Sequence, residues 1–139
     1  MKILILDSGI LINLSMNGLL YIFEELKKIS QVRFAITKDV KYEVVDRPIG
    51  IPRFELGALQ VQSLFNSGII EPPENFGISE KEILPLTEKL MDLANHSMQS
   101  KNQWMQIVSN AEMSCLALSQ LLSDKRIENI IGLDERTTR

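Results

Sequence analysis

Two short apolar runs, each followed by a single acid, constrain the fold of this chain most strongly. One run occupies residues 3–6 and leads into Asp7, and the other occupies residues 130–133 and leads into Asp134. Short runs of this kind are typical of strands that are buried on both faces of a parallel sheet. Open α/β sheets bind ligands at the carboxyl ends of their strands, so we expect both acids at the ligand-binding edge.

Strand-like and helix-like segments alternate along the rest of the chain, which favours the α/β class. We predict a three-layer α/β/α sandwich with a central parallel sheet, formed by one domain over residues 1–139. Two helical segments before residue 27 are separated by a break at residues 17–18. The remaining periodicities predict strands at 31–36, 69–70 and 129–133 and helices at 38–45, 56–66, 79–95 and 109–122.

Two local patterns carry their own predictions. Ser8-Gly9 is typical of a turn after the first strand, and the prolines and glycine of residues 47–52 predict a loop. Thr37, Ser79 and Ser109 stand where helix N-caps are expected.

Composition limits the classes of partner. The net charge is -3 with a pI near 5.2, so the chain lacks the basic balance of a typical phosphate-backbone binder. A single cysteine, Cys115, allows no internal disulfide and fits a reducing cytoplasm better than secretion. No stretch approaches the roughly 20 apolar residues of a membrane span, so we expect a cytoplasmic protein with no membrane partner.

Four acids stand at telling places in this pattern, and each has an ordinary structural explanation. Asp7 could cap the following helix, and Asp134 could start a turn. Glu43, on the short helix after the second strand, could be a solvated side chain. Glu112 fits a capping box with Ser109, in which the glutamate reaches back to the serine amide.

Taken together, the four contexts resemble a known family. The segments are LDSGILINL at 6–14, VKYEV at 40–44, NAEMSCLALS at 110–119 and LDERTTR at 133–139. Their order and spacing over nearly the whole chain resemble the PIN domain family of metal-dependent ribonucleases.

The resemblance implies that Asp7, Glu43, Glu112 and Asp134 bind Mg²⁺ or Mn²⁺ and are the catalytic residues of an endoribonuclease. Hard cations of this kind prefer carboxylate oxygens, and a bound cation removes the mutual repulsion of the acids. It also lowers the pKa of a bound water, which then attacks the RNA phosphodiester. Supporting roles fall to Ser8, Asn13 and Glu135.

The resemblance also bears on partners. RNA is the expected substrate, with Arg136 and Lys41 as its expected contacts and Lys38, Arg47, Arg53 and Arg139 as further basic side chains near the same loops. Many relatives are toxins neutralised by an antitoxin protein, and others process RNA. Family members usually continue with another helix and a short edge strand beyond the fourth motif. We therefore expect a truncated or shortened chain, and a homodimer because bare sheet edges invite pairing.

Two alternatives stay open at this point. The chain could keep the PIN fold and the acids but serve as a non-catalytic binding or scaffold module in an RNA-associated assembly. A two-component receiver domain also places acids after strands to bind Mg²⁺, although its early acid pair and late buried lysine are not evident here.

Overall fold

The computed structural model describes residues 2–101 and 109–134. Its strands are β1 (Lys2–Leu6), β2 (Val32–Ala35), β3 (Ile70–Glu71) and β4 (Asn129–Gly132). Its α-helices are α1 (Ser8–Met16), α2 (Tyr21–Ile29), α3 (Lys38–Lys41), α4 (Pro52–Asn66), α5 (Glu80–Lys101) and α6 (Asn110–Asp124). A π-helical turn (Tyr42–Asp46) and two 3₁₀ turns (Pro48–Gly50 and Pro73–Phe76) complete the described elements.

The four strands form one parallel sheet in the order β3-β2-β1-β4. Leu4 at the centre of β1 lies opposite Phe34 of β2 on one side and Ile130 of β4 on the other. The helices flank this sheet, so the predicted α/β class with a central parallel sheet is confirmed.

The strand order reverses direction at β1. The chain moves outward from β1 through β2 to β3 and then returns to place β4 on the other side of β1. Because parallel connections are almost always right-handed, the helices that precede β3 and the pair α5–α6 cover opposite faces. The carboxyl ends of β1 and β4 flank the switch point, which is where open α/β sheets bind ligands.

The core lies between the sheet and these helices. Ile3, Ile5 and Phe34 of the sheet and Leu118 of α6 are fully buried. Phe23 of α2 packs edge-on against Phe34, with 5.0 Å between the ring centroids. The apolar run at residues 3–6 therefore lies at the centre of the core, as predicted.

The run at residues 130–133 was predicted to be buried on both faces as well, and this was wrong: Ile130 is 53% exposed and Leu133 is 55% exposed, because β4 has a strand neighbour on one side only in the described sheet.

Two local predictions were wrong. Ser8-Gly9 makes no turn, because the extended backbone of Asp7 leads directly into α1 at Ser8. Residues 47–52 are not an irregular loop, because Pro48 and Pro52 stand at the first positions of a 3₁₀ turn and of α4. Proline is tolerated there, since the first amides of a helix have no intrahelical acceptor.

The predicted N-caps at Thr37 and Ser109 are confirmed, and at Ser79 one bond of the predicted capping box is formed. The Thr37 hydroxyl accepts a hydrogen bond from the Val40 amide (3.2 Å), and the Ser109 hydroxyl accepts one from the Glu112 amide (3.1 Å). At the start of α5, the Glu82 carboxylate accepts a bond from the Ser79 amide (3.2 Å). These caps fix where α3, α5 and α6 begin.

Within the described ranges, none of the helices combines the length and the apolar character needed to cross a bilayer.

Candidate metal centre

The four predicted acids come from four different elements near one edge of the sheet. Asp7 follows β1 directly and is 8% exposed, and Asp134 lies two residues beyond β4. Glu43 belongs to the π-helical turn, and Glu112 lies in the first turn of α6. The switch point of the sheet therefore has acids on the strands beside it and on helices that follow other strands.

Asp7 is the most buried of the four and has the clearest electrostatic signature. Loss of hydration raises the pKa of its carboxyl group, and the negative charge of Glu43 raises it further, while a hydrogen bond from the Ser8 amide opposes the rise. The carboxylate is thus held in a position that disfavours its charge. A perturbed acid at a ligand-binding edge is a candidate functional group.

The carboxyl group of Glu112 is also affected by the neighbouring acids. Desolvation raises the pKa of its carboxyl group first, then the charges of Asp7 and Glu43, and a side-chain hydrogen bond with Ser109 opposes them. Ser109 thus caps α6 through the Glu112 amide, which is one of the two bonds of the predicted capping box. A capping role is compatible with metal binding by Glu112, because the start of α6 lies within electrostatic reach of Asp7 and Glu43.

Glu43 reaches the cluster from an unusual stretch of helix. The α3 helix passes into a five-residue π-helical turn that contains Glu43, with Val44 and Val45 buried beneath it. Such turns are uncommon and occur frequently at functional sites. The helical periodicity of the sequence predicted a helix here, but one with ordinary geometry.

Asp134 is held by α1. The Asn13 side-chain amide donates a hydrogen bond to the Asp134 carboxylate (3.2 Å), and Asn13 in turn accepts one from the Asn17 amide (2.7 Å). Gly9 passes so close that a Cβ added to it would lie 3.2 Å from the Asp134 Cβ. The predicted supporting residue Asn13 therefore contacts one of the predicted acids.

Two buried side chains, Ser8 and Cys115, lie next to Asp7 in the sequence or in space. The Ser8 hydroxyl is buried and has no hydrogen-bond partner among the described residues. The Cys115 thiol lies 4.0 Å from the Asp7 carboxylate and 3.9 Å from the Leu6 carbonyl. Burial and then the charge of Asp7 raise the thiol's pKa, so Cys115 stays protonated as a weak donor. An unpaired buried hydroxyl beside an acid is suited to a ligand that the site would hold.

A buried chain of hydroxyl groups ties α3 to α6. The Ser114 hydroxyl donates to the Ala111 carbonyl (2.7 Å) and lies 2.6 Å from the Thr37 hydroxyl. Since Ser114 has only one proton, Thr37 must donate to it while accepting from the Val40 amide. These bonds link the beginnings of the two helices that carry Glu43 and Glu112.

The sequence analysis missed one acid. Asp39 lies in α3, one helical turn before Glu43, and desolvation and then the charge of Glu43 raise the pKa of its carboxyl group. The signal was present in the sequence, because residues four apart share a helix face. Asp39 was not predicted, because the resemblance to the PIN family implies a role only for Glu43 in this segment.

Of the predicted RNA contacts, Lys41 belongs to the described residues and Arg136 does not. Lys41 pairs with Asp46 (3.3 Å) and lies 5.4 Å from the centre of the Phe65 ring, so it is engaged within the protein. Glu135, Arg136 and Arg139 lie outside the described residues.

The chemistry of the donor set fits a hard cation, since every donor among the four acids is a carboxylate oxygen. In residues 2–101 and 109–134, however, no three Asp, Glu, His or Cys side chains are already gathered into a group that could hold a metal ion. The acids are therefore electrostatic neighbours rather than a closed set of ligands. Repulsion between uncompensated carboxylates favours such a spread arrangement.

Comparison of the chain with protein-family models, with curated proteins and with solved structures finds no match.

Proposed function

We propose that this chain is a PIN-like, Mg²⁺- or Mn²⁺-dependent endoribonuclease. The observation that carries the proposal lies at the switch point of a parallel sheet: the charge of Glu43 raises the pKa of the Asp7 carboxyl group, and the charges of Asp7 and Glu43 raise that of Glu112, in each case after desolvation. Carboxylates from three separate elements repel one another there, and this repulsion costs stability. A cation-binding role accounts for that cost.

In this proposal the four acids would bind the cation, and residues that contact them fix the positions of the acids. Asp7 is fixed by its burial, Asp134 by Asn13, and the helices of Glu43 and Glu112 by the hydroxyl chain between Thr37 and Ser114. When bound, the cation neutralises the acids, holds phosphate oxygens and lowers the pKa of the attacking water.

The test compares wild type with Asp7→Asn on a set of unstructured RNAs in Mn²⁺. We expect cleavage by wild type, a loss of at least about 100-fold in the variant, and a rise in wild-type melting temperature with Mn²⁺ that the variant lacks. The matched control is Asp92→Asn, an exposed aspartate on α5. A wild-type protein that neither cleaves RNA nor responds to Mn²⁺ would falsify the proposal.

One observation favours a second candidate, a non-catalytic RNA-binding module. The described acids do not form a closed group of metal ligands. The two functions separate cleanly, because a binding module retains RNA under conditions in which no product appears. As a nuclease, the chain could act as a toxin with an antitoxin partner or in RNA processing, and these roles remain part of the proposal.

A further inference from the structure

A groove opens beside the acid cluster. It encloses about 450 Å³, within the roughly 300–1,000 Å³ of sites that hold small organic ligands. Its walls come from α1, from the segment around the π-helical turn and from the start of α4. The residues that matter for the argument are Ile12, Met16, Glu43, Arg47, Arg53 and Phe54. Because Glu43 belongs to both, the groove is continuous with the proposed catalytic site.

The walls of this groove are apolar and accessible. Met16 is 72% exposed, Phe54 is 44% exposed and Ile12 is 43% exposed. Contiguous exposed apolar side chains around a concave surface mark a place where something binds. The exposed face of Phe54 is a flat aromatic surface inside the groove.

Two arginines supply positive charge at the same place. The Arg53 guanidinium lies 5.2 Å from the centre of the Phe54 ring. Arg47 and Arg53 are exposed, and neither takes part in the ion pairs found in the described part of the chain. An aromatic ring beside arginines that form no ion pair is the arrangement that stacks a base and holds its phosphate.

We propose that this groove binds an unpaired nucleobase of single-stranded RNA, stacked on Phe54 with the adjoining phosphate on Arg53 and Arg47. The inference rests on the proposed function, because it places the base next to the bond that the acid cluster would cut. It also names the substrate class: RNA whose target nucleotide is unstacked, since a paired base cannot enter the groove.

A protein helix or a second copy of the chain would also cover the apolar walls. Neither occupant accounts for the two arginines without ion pairs that line the same groove as Phe54 and Glu43. A nucleotide uses all three features, because it has a flat apolar face, a negative charge and a bond for cleavage. The charge complementarity therefore favours RNA.

The experiment measures binding of a fluorescein-labelled six-residue oligoadenylate RNA by fluorescence anisotropy, in EDTA and low salt so that no cleavage occurs. We expect Phe54→Ala and Arg53→Ala each to raise the Kd about 5- to 150-fold, the range for loss of one base–aromatic stack. Phe54→Tyr should retain binding. The matched controls are Leu59→Ala, an exposed apolar residue of α4 outside the groove, and Lys89→Ala on α5, both expected within twofold of wild type.

Two further probes test the base itself. An abasic hexamer and an RNA duplex should both bind more weakly than the oligoadenylate, because neither offers a free base. Equal binding of the abasic strand, unchanged binding by Phe54→Ala, or no wild-type binding in EDTA would each overturn the proposal. A dimer that Met16→Lys converts to monomers would do the same, since the groove would then be an interface between copies.

Failure of the nuclease is distinguishable from failure of the groove. If wild type binds RNA through Phe54 in EDTA but never cleaves it in Mn²⁺, the catalytic proposal fails and the groove stands. If wild type cleaves RNA and Phe54→Ala cleaves it with unchanged KM, the groove proposal fails and the nuclease stands.

Discussion

Among the described residues, two acids at the sheet are buried, Asp7 and Glu71, and their surroundings give them opposite roles. Glu71, at 6% exposure, pairs with Arg33 and Lys27 and accepts a bond from Asn75, and chiefly the Arg33 hydrogen bond lowers the pKa of its carboxyl group. Asp7, at 8% exposure, has no ion pair within the described residues, and the pKa of its carboxyl group is raised. A buried acid compensated by cations stabilises the fold, whereas an uncompensated one destabilises it and is suited to bind a cation.

This contrast predicts that Asp7→Asn is more stable than wild type in EDTA at pH 7. The substitution removes a desolvated charge, and we expect a gain on the order of 1 kcal/mol, or about 4 °C in Tm. Because the folded state holds the Asp7 proton more tightly than the unfolded state, the wild-type free energy of unfolding falls as pH rises from the ordinary aspartate pKa through the raised one. The gain should therefore shrink toward pH 4.

Urea denaturation of both proteins in EDTA between pH 4 and pH 7 measures this difference. Asp92→Asn, on the exposed face of α5, is the control and should follow wild type at every pH. If Asp7→Asn is less stable than wild type at pH 7, the acid is compensated in a way that excludes it as an open cation ligand.

A second residue-scale prediction concerns the close approach of Gly9 to Asp134. Gly9→Ala places a Cβ 3.2 Å from the Asp134 Cβ, so the acid must shift. If Asp134 is catalytic, we expect RNA cleavage in Mn²⁺ to fall about 10- to 100-fold. Stability should change little, because alanine favours α1 by about 1 kcal/mol over glycine and offsets the tight contact.

The control for this substitution is Gly50→Ala, where an added Cβ meets nothing within 4 Å. Unchanged cleavage by Gly9→Ala, with a native melting curve, would show that the position of Asp134 does not matter for activity.

At the scale of elements, the beginnings of α3 and α6 are joined by one buried hydrogen-bonded chain. Thr37 both caps α3 and contacts Ser114 of α6. The α3 helix is only four residues long before it becomes a π-helical turn, so its contact with the 15-residue α6 helps to fix its position. The joint between the helices therefore determines how far Glu43 lies from Glu112.

This joint predicts strong coupling between the two hydroxyl residues. Ser114→Ala leaves the Thr37 hydroxyl without its acceptor in a buried site, which should cost about 1–3 kcal/mol. Thr37→Val should cost a similar amount, and the double variant less than the sum of the two. Thr37→Ser should restore most of the stability and the Mn²⁺-dependent rise in Tm.

A double-mutant cycle by urea denaturation measures this coupling, with the exposed Ser63→Ala of α4 as control. Strictly additive losses would mean that the contact at 2.6 Å contributes nothing to the joint.

At the scale of the whole molecule, β4 is the outermost strand on its side of the sheet in the described residues. Ile130 on this strand is 53% exposed, which leaves an apolar edge available for pairing. We expect self-association in sedimentation at high protein concentration, reversed by Ile130→Lys. Leu93→Lys, at a similarly exposed position on α5, should leave the association unchanged. Monomers at all concentrations would contradict the predicted homodimer.

Much of the fold was readable from the sequence because its signals are local. The runs around residues 3–6 and 129–133 identified β1 inside the sheet and β4 at its edge as strands, and Thr37, Ser79 and Ser109 identified helix starts. The errors were local too: Ser8-Gly9 continues into helix, and Pro52 opens α4 instead of preventing it. Both errors came from treating a residue tolerated in a first helical turn as a helix breaker.

Only part of the candidate site could be predicted from the sequence. That Asp7 and Asp134 end strands follows from residues a few positions away, and so do the helix positions of Glu43 and Glu112. The chain alone left each of these acids an ordinary explanation. It also gave no reason to separate Asp7 from Glu71, or Arg53 from any other surface cation.

The sequence by itself determined the parallel-strand pattern, the caps and the acids that follow the strands, because each depends on neighbours along the chain. Only the tertiary structure decided that β4 returns beside β1, that Glu43 and Glu112 come within electrostatic reach of Asp7, and that Phe54 and two arginines line a groove that also includes Glu43. Those outcomes depend on crossover connections and side-chain packing between residues distant in sequence, and no local pattern encodes them.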